Sequence, residues 1–173
     1  MSGPSISHGK AKQDTTVGVG NIVVSNCSSE VIRTHSLGSC IAIAAYDCNA
    51  KAGGVLHFML PDSSLSPQKA INQPAMFADT GIPLLFQKLS ALQAERRHVK
   101  AFVAGGASVI TGSDMFKIGE RNIAATKKIL IRLGITVIKA DIGGVSNRAL
   151  QLGIGTGEVL LKTTIGTAKL SLA

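Results

Sequence analysis

An α+β layered domain is predicted by three features of this 173-residue chain. Short Val- and Ile-rich runs bounded by Gly and Asn recur in its first third, as strands do. Two longer stretches then carry the helical period. A final series of strand-like runs closes the chain, so many strands and two main helices must share one layered core. Residues 1–15 are polar and rich in Ser, Gly and Lys and read as a mobile tail. Residues 16–173 read as a single domain, long enough to bury a full core.

Strands are expected near Val17-Gly18-Val19 and through Ile22-Val23-Val24. Val31-Ile32-Arg33-Thr34 is a short strand entering the Gly38-Ser39 turn. Ile41 to Tyr46 and Gly54 to Leu60 have the composition of buried strands, and Asp47 to Gly53 between them carries turn chemistry, so the three form a hairpin. A hairpin symmetric about Cys48 and Asn49 sets Cys40 directly across from His57, with Cβ atoms roughly 4.5–5.5 Å apart. A slip of two residues would keep both side chains on one face, whereas a slip of one would separate them. Pro61 to Pro74 is a polar loop of functional length. A helix follows from Ala75 to about Ala94, with Leu84, Leu85, Leu89 and Leu92 on its apolar face. Pro83 predicts a kink there, or a start near Gly81. Val99 to Ala104 is a strand ending in Gly105-Gly106-Ala107. A second helix runs from Ile118 to about Leu133, with Gly134 in the position that ends helices. Strands at 136–139, 148–152, 157–162 and 168–172 complete the chain, with a turn at Asp141-Ile142-Gly143-Gly144.

Composition narrows the function classes. Aromatic residues make up 3% of the chain, with no Trp and one Tyr, which is poor material for stacking nucleic-acid bases. The formal net charge is +8, and it favours an acidic partner. Its Lys and Arg residues are scattered rather than gathered into a nucleic-acid arm. Three cysteines, Cys27, Cys40 and Cys48, are too few and too widely spaced for a disulfide framework. No CxxC pair suggests zinc, so reduced thiols in a cytoplasmic protein are expected. The N-terminus lacks the apolar core of a signal peptide, and no stretch approaches the roughly 18 apolar residues of a membrane span.

Cys40 ends the segment Thr34-His35-Ser36-Leu37-Gly38-Ser39-Cys40, and His57 lies one hairpin later. A thiolate is a nucleophile, and a neighbouring imidazole can take its proton and later protonate a leaving amine. The glycine at 38 lets the backbone approach a substrate, and N–H groups near Gly38 and Ser39 can serve an oxyanion. Taken alone, Cys40 also fits a small buried hydrophobe, and His57 a core histidine. His35 is the rival base, but strand geometry favours His57. His8 and His98 fit solvated positions. Gly105-Gly106-Ala107, Gly143-Gly144 and Gly153-Ile154-Gly155-Thr156-Gly157 complete no phosphate-loop pattern and read as tight turns.

These residues resemble the active-site region of the CheD family of chemoreceptor glutamine deamidases. The resemblance continues from His57-Phe58-Met59-Leu60-Pro61-Asp62 through Ala78-Asp79, Gly105-Gly106-Ala107, Met115-Phe116, Ile118-Gly119-Glu120-Arg121-Asn122 and Asp141-Ile142-Gly143-Gly144. It then runs to Arg148 and Thr156-Gly157-Glu158-Val159. It implies a β-sandwich core flanked by helices, similar to toxin deamidases of the cytotoxic necrotizing factor type. It implies a catalytic triad at Cys40, His57 and Thr34, with Thr34 orienting His57 and no metal or organic cofactor. The implied substrates are glutamines on the cytoplasmic helices of methyl-accepting chemotaxis receptors, and the CheC phosphatase is an implied partner. The family commonly runs Gly-Gly-Ala-x-Met-Phe; here residues 108–114 lengthen that segment. Three other readings remain open on the sequence. They are a non-catalytic binding module regulating CheC, a thiol hydrolase acting on another amide or thioester, and a basic nucleic-acid-binding protein, which scattered charge disfavours.

Overall fold

The computed structural model describes residues 13–108 and 117–173. The rest of the tail, positions 109–114 of the lengthened loop, and Met115 and Phe116 lie outside the described residues. Two five-stranded sheets face one another, and helices cover the far side of the second. The first sheet has the order β1 (Gln13–Thr16), β3 (Glu30–Arg33), β8 (Arg148–Gly153), β9 (Glu158–Thr163), β10 (Gly166–Ser171). The second runs β2 (Asn21–Ser25), β5 (Ala52–Phe58), β4 (Ile41–Asp47), β6 (Val99–Gly105), β7 (Thr136–Ile142). Only β1/β3 and β6/β7 pair in parallel among the described strands. The β6–β7 crossover is made by α3 (Ile118–Leu133), as a parallel connection requires.

The alternation of side chains along a strand builds two separate cores. Ala42, Ala44, Tyr46, Val55, Phe102 and Ala104 of the second sheet meet Ile32, Leu150, Leu152, Val159 and Leu161 of the first. On the other face, Ile41, Ile43, Ala45, Leu56, Phe58 and Val103 pack against Ile82, Leu85 and Leu89 of α2 (Ala78–Ala91) and Ile129 and Leu130 of α3. Covered on both faces, β4 and β5 are buried at every residue. This is why they read as continuous apolar runs.

Several elements differ from expectation. β1 takes in Gln13, Asp14 and Thr15, which read as tail. Its side-chain contacts with β3 are polar: Thr15 donates to Glu30 at 2.6 Å, and Arg33 pairs with Asp14 at 2.6 Å. Such a strand has no apolar alternation to betray it. The polar loop after Pro61 holds a short helix, α1 (Pro67–Asn72), between two 3-10 turns. α2 begins at Ala78 rather than Ala75 or Gly81 and keeps Pro83 inside it. There the missing N–H deprives only the Asp79 carbonyl of its helical partner. α3 matches expectation, and Gly134 ends it with a left-handed φ of 67°.

The hairpin register is shifted by two residues. His57 pairs with Ala42, and Asp47 with Ala52, leaving a four-residue loop Cys48–Lys51. The side chain of Asp47 sets this loop: one oxygen accepts from the N–H groups of Asn49 and Ala50, at 2.8 and 3.2 Å. Lys51 turns the chain back with φ 50°. The turn is therefore centred one residue later than the symmetric reading placed it.

Gly105 sits against the carbonyl of Cys40 with φ 116°, and a Cβ there would collide with that oxygen. Gly105→Ala should cost about 3 kcal/mol or more, because both backbone strain and a backbone clash must be relieved. Gly134→Ala, left-handed but with nothing within 4 Å of the added carbon, should cost only about 1–2 kcal/mol. Denaturant unfolding of the two variants measures the difference.

Candidate active site

The expected site residues come from three places in the sandwich. Thr34 follows β3 and is buried beside Leu150 of β8. His57 shares the face of Val55, toward the first sheet. Cys40 precedes β4, and the Gly106 N–H donating to its carbonyl at 2.9 Å carries the β4–β6 ladder one residue further. It stands two residues before Ala42, the residue that pairs with His57, in the bend that leads into β4. The two-residue register shift makes Cys40 a diagonal neighbour of His57 rather than a directly opposed one. Diagonal neighbours stand about 7–8 Å apart, within reach of long side chains. The three residues thus stand at the ends or just outside β3, β4 and β5.

Burial differs among them. Thr34 is 1% exposed and His57 2%, while Gly38, Ser39 and Cys40 are half-buried. The cysteine is the member open to an incoming group. His35 is exposed and does not share the interior. Cys48 is exposed in the hairpin loop, and Cys27 lies beside Ser29.

Thr34 is fixed by a double link to β8. Its N–H donates to the Leu150 carbonyl at 2.8 Å, and its Oγ1 accepts from the Leu150 N–H at 3.2 Å. The expected hydrogen bond from Thr34 to His57 is not formed. Both imidazole nitrogens are buried, and neither makes a hydrogen bond of good geometry. The backbone of Val17 lies beside the ring and favours its protonated form, but burial outweighs it and holds the imidazole below its ordinary value. Burial pushes the Cys40 thiol up, opposed by that residue's own backbone N–H. Both shifts favour a neutral thiol beside a neutral imidazole.

The loop before Cys40 is held by three consecutive carbonyls. Gly38 O accepts from Ala107 N at 2.8 Å, Ser39 O from Asn122 Nδ2 at 2.9 Å, and Cys40 O from Gly106 N at 2.9 Å. Gly106 and Gly119 permit this closeness. A Cβ on Gly106 would press on Ile123, and one on Gly119 would stand 2.5 Å from Gly106 O. At the same end, Arg148 of β8 donates to Asp141 of β7 at 2.7 Å and ties the two sheets together. Val17 and Asn122 were not singled out by sequence reasoning. Val17 has no polar side chain to signal it. Asn122 stood within Ile118-Gly119-Glu120-Arg121-Asn122, but its partners are backbone atoms distant in sequence.

Among the described residues no three His, Cys, Asp or Glu side chains gather where they could hold a metal ion. No helix of those residues is long and apolar enough to cross a membrane. An apolar hollow of about 330 Å³ lies between α3 and β7, lined by Val103, Ile123, Leu130, Val137 and Ile142. It is on the helical side of the second sheet, away from His57.

The fold is an α+β sandwich with a half-buried cysteine at the entry to β4 and a buried histidine on the neighbouring β5. The family model for CheD chemotactic sensory transduction matches residues 59–163, beginning just after His57. A probable chemoreceptor glutamine deamidase CheD 1 of Syntrophus aciditrophicus is 43% identical over 153 residues, covering 88% of this chain and 96% of its own. A probable chemoreceptor glutamine deamidase CheD of Solibacter usitatus is 42% identical, covering 84% of this chain and 86% of its own. The chain belongs to the CheD family. Among solved structures, the hypothetical protein YfiH of Bacillus licheniformis overlays with a TM-score of 0.47 at 10% identity, over 76% of this chain and 60% of that one.

The burial of neutral His57 carries a sign. Its folded pKa lies below the unfolded value of about 6.5, so the unfolded chain binds more protons as pH falls. The stability it contributes is complete above about pH 6.5 and is lost as pH falls through the lowered folded value. His57→Gln should flatten that part of a stability profile measured by thermal unfolding. Superimposable profiles would mean that the ring is not desolvated.

Proposed function

We propose that this protein is a protein-glutamine deamidase that converts glutamines of chemoreceptor cytoplasmic helices to glutamate and acts in the cytoplasm. What supports the reading is a CheD-family chain in which half-buried Cys40 lies two residues before Ala42, the strand partner of buried His57. His57, neutral at rest, takes the Cys40 proton as the sulfur adds to the carboxamide carbon. The carbonyl oxygen becomes an oxyanion, and the Cys40 N–H is the donor nearest to receive it. The C–N bond then breaks as His57 returns its proton to the nitrogen, giving ammonia and a thioester. Water adds to the thioester carbon, His57 takes its proton, and the C–S bond breaks. Glutamate leaves and the thiol is regenerated. Thr34, its hydroxyl oxygen anchored by Leu150, orients the imidazole once the substrate draws the group together.

Incubation of a receptor cytoplasmic fragment with the wild type and with Cys40→Ala, read by mass spectrometry, tests this. Gln→Glu conversion by the wild type alone, with the Cys40→Ala rate lower by at least about 10³-fold, is expected. Conversion by neither protein on several receptors would favour a binding module, such as a regulator of CheC.

The net charge of +8 complements glutamate-rich receptor helices, which fits steering of the complex by charge. Raising ionic strength from low salt to about 0.5 M should weaken binding at least several-fold. Salt-independent binding would remove charge from the account.

A further inference from the structure

Asn122 is 0% exposed and stands where the two site strands part. The β4–β5 ladder ends at the pair Ile41 and Phe58. Beyond it, the chain after β5 turns away, Met59 and Leu60 both donating to Met76 O at 3.0 and 3.1 Å. The chain before β4 stays with β6 through Gly106. Across this gap the Asn122 amide donates twice, to Ser39 O at 2.9 Å and to Met59 O at 2.8 Å. One side chain therefore joins the residue before Cys40 to the residue two beyond His57.

The first of these bonds has a directional consequence. No peptide among the described residues is cis, and in a trans peptide the C=O and the following N–H point in opposite directions. Drawing Ser39 O inward to α3 turns the Cys40 N–H outward. That N–H belongs to the candidate nucleophile itself, so it is the backbone donor that moves with the sulfur.

The amide's other end is costly. Asn122 Oδ1 is buried without a hydrogen-bond partner, and an orphaned buried acceptor is a standing penalty. Stability alone does not account for such a group, but a need for two donors at one point does. Thr126 donates to the Asn122 carbonyl at 2.7 Å, which ties that backbone position into the next helical turn.

We propose that Asn122 is a positioning residue for the deamidation. By fixing the Ser39 carbonyl, with Met59 O as its second anchor, it aims the Cys40 N–H at the oxyanion. This rests on the reading of Cys40 and His57 as the reacting pair.

The test compares Asn122→Ala with wild type in three measurements on the full chain: kcat and KM for a receptor fragment, thermal unfolding, and alkylation of Cys40 by iodoacetamide. Alkylation forms no oxyanion. The expected result is a fall in kcat of about 10²-fold, the effect of losing one oxyanion donor, with KM and alkylation rate within about threefold of wild type. Unchanged kcat in folded Asn122→Ala would overturn the proposal, as would equal losses of kcat and alkylation rate. If Asn122→Ala does not fold, the isosteric Asn122→Asp is read instead. Its carboxyl can donate to one carbonyl when protonated and to neither when ionised. Its kcat relative to wild type should therefore fall as pH rises, and a pH-independent ratio would overturn the proposal. Activity retained in Cys40→Ala would instead defeat the underlying reading, whatever Asn122 does.

Discussion

The loop from Gly38 to Cys40 hangs by its carbonyls. Three consecutive acceptors are taken from behind by Ala107 N, Asn122 Nδ2 and Gly106 N, and most of the fold around the site exists to deliver those donors. β6 must end at Gly105 and be followed by Gly106, with left-handed φ values of 116° and 70°, so that the N–H groups just past the strand face the loop. α3 must begin with its second residue a glycine, so that its first turn can rest on Gly106. Only then does the fifth residue of α3, Asn122, reach Ser39. The βαβ crossover that looks like ordinary topology is also the clamp on the candidate nucleophile's loop. A loop whose carbonyls are satisfied from inside is free to present its amides outward, which is what an oxyanion demands.

The sequence was legible where one physical signal dominated. Doubly covered β4 and β5 could only be continuous apolar runs, and α3 carried both its period and its terminating Gly134. The hairpin was legible to its strands but not to its register. A period-two pattern marks the strands, while the exact partner of His57 depends on the turn. That turn was decided by Asp47 accepting from Asn49 and Ala50, a side-chain choice that alternation does not encode. β1 and Asn122 were hidden for a related reason. Each is held by polar contacts to residues far along the chain, and such contacts leave no local pattern.

Electrostatics and packing point the same way at the site. An imidazole with two unpartnered nitrogens and an amide with an unpartnered oxygen lie within the same small region. Each is a cost that an apolar residue of similar volume would remove. Burial keeps the imidazole unprotonated and the thiol protonated, so a buried ion pair is avoided while the protein rests. The charge separation is then deferred until a carboxamide arrives with its own dipole and displaces the balance.

That deferral separates an enzyme from a binding module built on the same frame. A surface that only docks a partner gains affinity from exposed anchors and satisfied polar groups, and it has no use for a histidine buried to 2% exposure. A thiol reaction needs a base that is desolvated, neutral and adjacent to a sulfur open to substrate. Fully buried, neutral His57 and half-buried Cys40 each suit one part of that requirement. The same arrangement explains the glycines at 105, 106 and 119. They are spent on bringing backbone close to the cysteine's loop, where the reaction's oxyanion would need the most rigid support.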